Sequence, residues 1–177
     1  MAQKRVLLAV DQANLSCHAS QNGERVYYEA LLAYAAELGR LTHSAIYVAR
    51  PKPDQDRAFL LKLKDLGFSR VVARPLRQRP EGRSKSDIDT IMAMDLWQAV
   101  LKRETDSVVL VSGDSDFVPL VEGITARGTP VCVIGPNGST AWELKVAATH
   151  FVDARDVPGL LEPMTGARPQ MQQKQAA

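Results

Sequence analysis

"VVLVSGDSDF", residues 108–117, decides how this chain folds. Val108 to Val111 is an unbroken apolar run, Ser112 and Gly113 interrupt it, and Asp114 and Asp116 follow within three positions. A short apolar run bounded by turn residues reads as a strand buried on both faces. The segment Phe117 to Arg127 then reads as a helix, with Pro119 tolerated in its first turn. Asp116 could simply cap that helix by accepting from backbone N–H groups. The alternative is that Asp114 and Asp116 are half of a site that holds a cation.

The same strand, break and helix recur in both directions. Arg5 to Val10, Ser44 to Ala49, Arg70 to Ala73, Pro130 to Ile134 and Phe151–Val152 read as strands. Glu24 to Leu38, Asp54 to Leu66, Asp87 to Arg103 and Ser139 to Ala147 read as helices, the first two stopped by Gly39 and Gly67. The strands are apolar runs without period-2 alternation, and they alternate with helices. Both features predict an α/β fold, a mainly parallel sheet covered on both faces. Residues 1–160 are expected to form one domain. Residues 161–177 are expected to be a disordered tail, because MTGARPQMQQKQAA has too little apolar content to fold.

Composition narrows the function. Apolar residues are 45% and charged residues 24% of 177, and the net charge is +2. Arg168 and Lys174 in the tail supply that excess, so any nucleic-acid contact must come from local clustering. Cys17 and Cys132 make no disulfide framework, and Cys17-His18 has no partners at zinc spacing. The apolar run after Arg5 is too short for a signal peptide, and no stretch is long enough to span a membrane. The expected location is the cytoplasm.

In an open parallel sheet, functional groups gather beyond the carboxyl ends of the strands, where strand order reverses. Asp11 follows the first strand, and Asp114 and Asp116 follow the strand at 108–111. If those two strands are neighbours, three carboxylates meet, with Asn14 in the same loop. Asp89 opens the helix that precedes Val108 and would face the same edge. Four ionised carboxylates repel strongly. A divalent cation offsets that repulsion, and all-oxygen donors suit Mg²⁺ or Mn²⁺. Such a site can activate a water and stabilise the leaving oxygen of a phosphodiester. The competing reading for each aspartate alone is a cap or turn residue. Asp95 lies six residues after Asp89 among apolar neighbours, so it either anchors the Asp114 loop or lines the site from deeper down.

With these residues assembled, the chain resembles the LabA-like group of NYN-domain proteins, within the PIN-like nucleases. The matching pieces are "LLAVDQANL" at 7–15, "DIDTIMAMDLW" at 87–97, "VVLVSGDSDFVPLV" at 108–121 and "GTPVCVIG" at 128–135. The resemblance implies a PIN-like three-layer α/β/α sandwich, divalent-metal dependence and RNA cleavage. It implies metal-site roles for Asp11, Asp89, Asp114 and Asp116, a supporting role for Asn14, and a turn role for Ser112. Two positions depart from the family pattern. Lys85-Ser86-Asp87-Ile88-Asp89 stands where the family often has Lys-Gly-x-Asp, and Asp89 is taken over Asp87 because its spacing to Asp95 fits. Ala148-Thr149-His150-Phe151 lacks an acid that relatives commonly carry.

Arg70, Arg74, Arg77, Arg79, Arg83 and Lys85 fall within sixteen residues against one acid, Glu81. A basic segment leading to Asp89 suits a phosphate backbone, which it would position more than specify. Arg50 and Lys52 could extend the strip. Tyr27, Tyr28 and Trp97 are either stacking surfaces or core. "GPNGS" at 135–139 is a tight turn with Ser139 as a helix cap, since it lacks a phosphate-loop Lys.

The expected function is thus an RNA-cleaving, metal-dependent hydrolase, most simply an endoribonuclease. Its substrate would be single-stranded or structured RNA, with DNA as an alternative, and a homodimer is an allowed assembly. A second reading is a non-catalytic RNA-binding or regulatory module with the same fold. A third is another Mg²⁺-dependent phosphoesterase. The Asp114-x-Asp116 pair suits a Toprim site, but that pattern wants Glu after strand one. Haloacid dehalogenase phosphatases want Asp-x-Asp there, and here Gln12 and Ala13 follow Asp11.

Overall fold

Successive residues of a strand point to opposite faces, and the first strand buries both. The computed structural model describes residues 3–50, 57–75, 77–78, 84–85 and 87–164, with backbone alone for Arg50, Arg77, Gln78, Ser84 and Lys85. In β1 (Arg5–Asp11), Val6, Leu8 and Val10 enter one apolar cluster, while Leu7 and Ala9 enter another. β7 (Ser107–Val111) repeats this, with Val109 and Val111 on the first side and Val108 and Leu110 on the second. That is why "VVLV" has no polar face.

Around these two strands stand β3 (Arg40–Arg50), β4 (Arg70–Pro75), β8 (Val131–Gly135) and β9 (His150–Asp153), in the order β4-β3-β1-β7-β8-β9. Every pairing in this sheet is parallel. The first cluster is covered by α1 (Gln12–Gln21), α2 (Tyr28–Glu37) and α3 (Arg57–Asp65). The second is covered by α4 (Ile88–Leu101), α5 (Val118–Ala126) and α6 (Trp142–Ala147). The result is the three-layer α/β/α sandwich expected from the strand pattern. The chain builds outward from β1 to β4, then returns to lay β7 against β1, so the order reverses between those two strands.

Several element boundaries differ from the sequence expectation. α1 went unpredicted because QANLSCHASQ buries only Leu15 and Ala19, too few apolar positions to show a period. The helix expected from Glu24 begins at Tyr28, because β2 (Glu24–Val26) pairs antiparallel with β10 (Leu161–Pro163). Residues 161–164 are thus ordered parts of the chain, and 165–177 lie outside the described residues. The expected start of α3 at Asp54 also lies outside them. Within the basic segment, β5 (Arg77–Gln78) and β6 (Ser84–Lys85) form a two-residue antiparallel ladder.

At the amino edge, Arg5 clamps Asp106, joining the start of β1 to the start of β7. Arg5 Nη2 meets Asp106 Oδ1 at 2.7 Å, and Arg5 Nε and backbone N both donate to Asp106 Oδ2, at 3.0 and 2.8 Å. This guanidinium pulls the Asp106 carboxyl down from 3.8 to about 2. A depressed native pKa contributes stability that is present above the unfolded value and lost as pH falls through the native one. Asp106→Asn should therefore melt a few degrees below the wild type at pH 7. That gap should close between pH 3.8 and about 2. Melting curves that stay parallel across this window would show that the pair does not set the acid limb.

Candidate functional site

β1 and β7 end side by side, with Val10 paired to Val111. Asp11, the last residue of β1, and Ser112, the first after β7, therefore stand side by side at the carboxyl edge. Asp11 closes β1 and caps α1, its Oδ1 accepting from Asn14 N at 3.1 Å. Its other oxygen, Oδ2, accepts from Ser112 Oγ at 3.1 Å. Ser112, only 1% exposed, uses the same Oγ to accept from Asp114 N at 3.2 Å. Asn14 returns the connection, its Oδ1 accepting from Gly113 N at 3.0 Å. Asp114 Oδ1 accepts from Asp116 N at 2.9 Å and caps the single 3₁₀ turn Ser115–Phe117. Asp11, Asn14, Ser112 and Asp114 thus form one hydrogen-bonded group across two loops.

Two glycines allow this close approach. A Cβ on Gly113 would meet Thr140 Cα and Oγ1 at 3.1 Å and Asn14 Oδ1 at 3.2 Å. A Cβ on Gly135 would lie 2.4 Å from Thr140 Oγ1 and 3.0 Å from Ser112 O. Buried Thr140 bonds to Pro136 O at 2.8 Å and wedges the β8–α6 loop against the Asp114 loop. Ala141 N donates to Gly113 O at 3.0 Å, completing the seam.

The electrostatics follow from burial. Asp11 is 8% exposed, and its carboxyl is pushed above the ordinary carboxylate range. Desolvation is the main cause; the bonds from Asn14 and Ser112 oppose it, and the nearby Asp114 charge adds to it. Tyr28 stands within the field of Asp11, and burial raises its phenol to about 12.

The other candidates are placed less centrally. Asp116 enters the group through its backbone, and its side chain is exposed. Asp116 does not cap α5, which follows Phe117 without a side-chain cap; Asp114 caps the 3₁₀ turn before it. Asp89 is half-buried in the first turn of α4, and Asp87 before it makes no side-chain cap bond. Among the described residues, no three His, Cys, Asp or Glu side chains stand close enough to hold an ion together.

Asp95 does not anchor the Asp114 loop. Its Oδ2 accepts from Tyr47 Oη at 2.8 Å and pairs with Arg70 Nη2 at 3.0 Å. It sits about two turns into α4, where the helix crosses β3 and β4, and it ties the helix to them. Arg70 is therefore engaged with Asp95. Arg74 is exposed near the carboxyl end of β4. The side chains of Arg77 and Lys85, together with Arg79, Arg83 and Lys52, lie outside the described residues. Ser139 does not cap α6. Its Oγ meets His18 Nδ1 at 3.2 Å, and α6 starts after Ala141 without a side-chain cap. Of the aromatic candidates, Tyr28 is buried against Phe59. Trp97 is half-buried under the Arg127 guanidinium, 5.7 Å from its ring centre. Trp142, which the sequence reading passed over, is 72% exposed.

A family model described as the NYN domain matches residues 5–161. The chain is 25% identical over 166 residues to the low amplitude and bright protein LabA of Synechococcus elongatus, covering 89% of this chain and 88% of that protein. It is 38% identical over 60 residues to an uncharacterised protein of Methanocaldococcus jannaschii, covering 33% of this chain and 25% of that one. Among solved structures, it resembles a protein of unknown function from Vibrio parahaemolyticus, with a TM-score of 0.78 and 27% identity. That match covers 90% of this chain and 97% of the other.

Proposed function

We propose, from the premise that the chain belongs to the NYN domain family, that it is a metal-dependent endoribonuclease acting at the Asp11–Asp114 loop pair. The family is related to the PIN-like nucleases, which makes a nucleic acid the natural substrate class. The observation that carries the reading is Asp11: a buried carboxylate, held by Ser112 and Asn14 and facing the charge of Asp114. A purely structural cap does not need a second carboxylate beside it in a desolvated place.

The donors fit a hard divalent ion. Mg²⁺ is commonly bound through one or two carboxylates while keeping several waters, so the Asp11–Asp114 pair is a sufficient core. Asp89 and Asp116 would complete the site. When bound there, Mg²⁺ or Mn²⁺ would supply an activated water and offset charge on the leaving oxygen. The chain's own residues do the rest. Ser112 keeps the two carboxylate loops in register through one hydroxyl. Asn14 fixes Gly113 and so sets the height of Asp114. Arg74 and the basic segment up to Lys85 would steer the phosphate backbone toward that edge. RNA, single-stranded or structured, is the proposed substrate. Among the described residues no helix is long and apolar enough to cross a membrane; a cytoplasmic setting is part of the proposal.

The test is cleavage of mixed end-labelled RNAs with Mn²⁺ or Mg²⁺, against the same reaction in excess EDTA. Cleavage that EDTA abolishes is the expected result. RNA that is bound in a salt-dependent way yet never cut would favour a non-catalytic RNA-binding module. The lack of a three-acid group among the described residues is the observation on that side. Hydrolysis of small phosphoesters with none of RNA would favour a phosphatase-like activity.

A further inference from the structure

We infer that Trp142 is a stacking platform for a base of the bound RNA strand, next to the proposed cleavage site; the inference rests on the nuclease reading. Scattered apolar side chains on a surface need no explanation. Tryptophan, however, is buried for most of its area on average, whereas Trp142 is 72% exposed and Val146, one turn further on, is 62% exposed. Leu144 between them is fully buried, so α6 is anchored by one face and presents the indole outward.

Position gives the indole its meaning. Ala141, the residue before it, donates its N–H to Gly113 O, inside "SGDSD". α6 also packs on the 3₁₀ turn that carries Asp116. The indole therefore rises from the element that braces the Asp114 loop, at the carboxyl edge of the sheet. Lys145 keeps a positive charge at the same edge, its Nζ held by Asn137 O and Oδ1 at 2.6 Å. A flat apolar ring on the helix that braces the Asp114 loop, with a cation on the same helix, suits a single-stranded nucleic acid, whose bases expose π-faces while its phosphates follow the charge. Stacking of this kind tolerates any base. It would hold the strand while the carboxylates define the cut.

The test uses tryptophan emission. Trp97→Phe leaves Trp142 as the sole tryptophan, since the chain has two. Titration with decaadenylate in EDTA should quench that emission to saturation. Trp142→Ala should weaken RNA binding about tenfold to a hundredfold and raise KM with little change in kcat, and Trp142→Phe should restore most of the loss. The salt slope of binding should stay the same, because a base contact releases no counterions. RNA that binds and is cleaved equally well by wild type and Trp142→Ala, with unchanged emission, would overturn the stacking role and leave the nuclease reading intact. A wild type that neither binds nor cuts RNA would overturn both. A wild-type dimer that Trp142→Ala converts to a monomer, with RNA affinity unchanged, would overturn stacking and place the indole between two copies of the chain.

Discussion

Asp114→Asn is expected to leave RNA cleavage at about a thousandth of the wild-type rate or less, in a chain that stays folded. The two halves of that expectation have separate causes. Asp114 has a structural duty, accepting from Asp116 N at the start of the 3₁₀ turn. Asparagine keeps an acceptor oxygen and caps as well as aspartate does, so the turn should survive. What the substitution removes is the charge. Under the proposed mechanism, the Asp114 charge helps hold an ion worth several kcal/mol of transition-state stabilisation, and each 1.36 kcal/mol is a tenfold change in rate. Single-turnover cleavage with circular dichroism in parallel separates the two. Normal cleavage by a folded Asp114→Asn chain would mean that the proposed site is misplaced.

That prediction was available from the sequence because strand ends are legible there. "RVLLAV" and "VVLV" had to be buried strands, and the first polar residues after each had to leave the sheet at its carboxyl edge. The adjacency of β1 and β7, which joins Asp11 to Asp114, is a condition that the sequence leaves open and their register meets. The hydrogen bonds that pin the pair were not legible. Ser112 reads as a turn residue, but its link to Asp11 spans 101 positions. The need for Gly135 depends on Thr140 and Ser112 both lying against it.

Other failures share that origin. Asp95 is expected to anchor the Asp114 loop or to line the site from deeper down, but helix phase alone does not say which strand lies underneath. Tyr47 and Arg70 do, and they come from β3 and β4. β2 is three residues long and gains its partner from residues 161–163, a pairing that no local pattern encodes. Trp142 was lost inside a helix expected to begin at Ser139. Trp142 and Val146, four residues apart, share one face of that helix and Leu144 lies on another, but helix phase does not say which face meets the sheet. Trp142 is the most exposed large apolar side chain among the described residues.

Asp11→Asn should reverse the usual sense of a site mutation, stabilising the chain without metal and removing its response to metal. The Asp11 carboxyl is held above its ordinary 3.8, chiefly by burial and further by Asp114. For an acid whose native pKa exceeds the unfolded one, the native state holds the proton more tightly. Stability then falls as pH rises from the unfolded value through the native one, and the full deficit remains above that window. Asparagine carries no such deficit. Its Oδ1 can still accept from Asn14 N, and its Nδ2 can donate to Ser112 Oγ, which has a second lone pair. In EDTA at pH 7 to 8, the variant should melt above the wild type, and the difference should vanish at the acid end. Added Mn²⁺ should reverse the order. At about 100 times the dissociation constant, a ligand of the native state adds about 2.7 kcal/mol, roughly 5–10 °C for a chain of this size. The wild type should gain that shift and Asp11→Asn should not. Equal Mn²⁺ shifts would place the ion elsewhere. A less stable Asp11→Asn in EDTA would mean that the Asn14 and Ser112 bonds to the carboxylate outweigh the burial of its charge, and Asp11 would then be a structural cap.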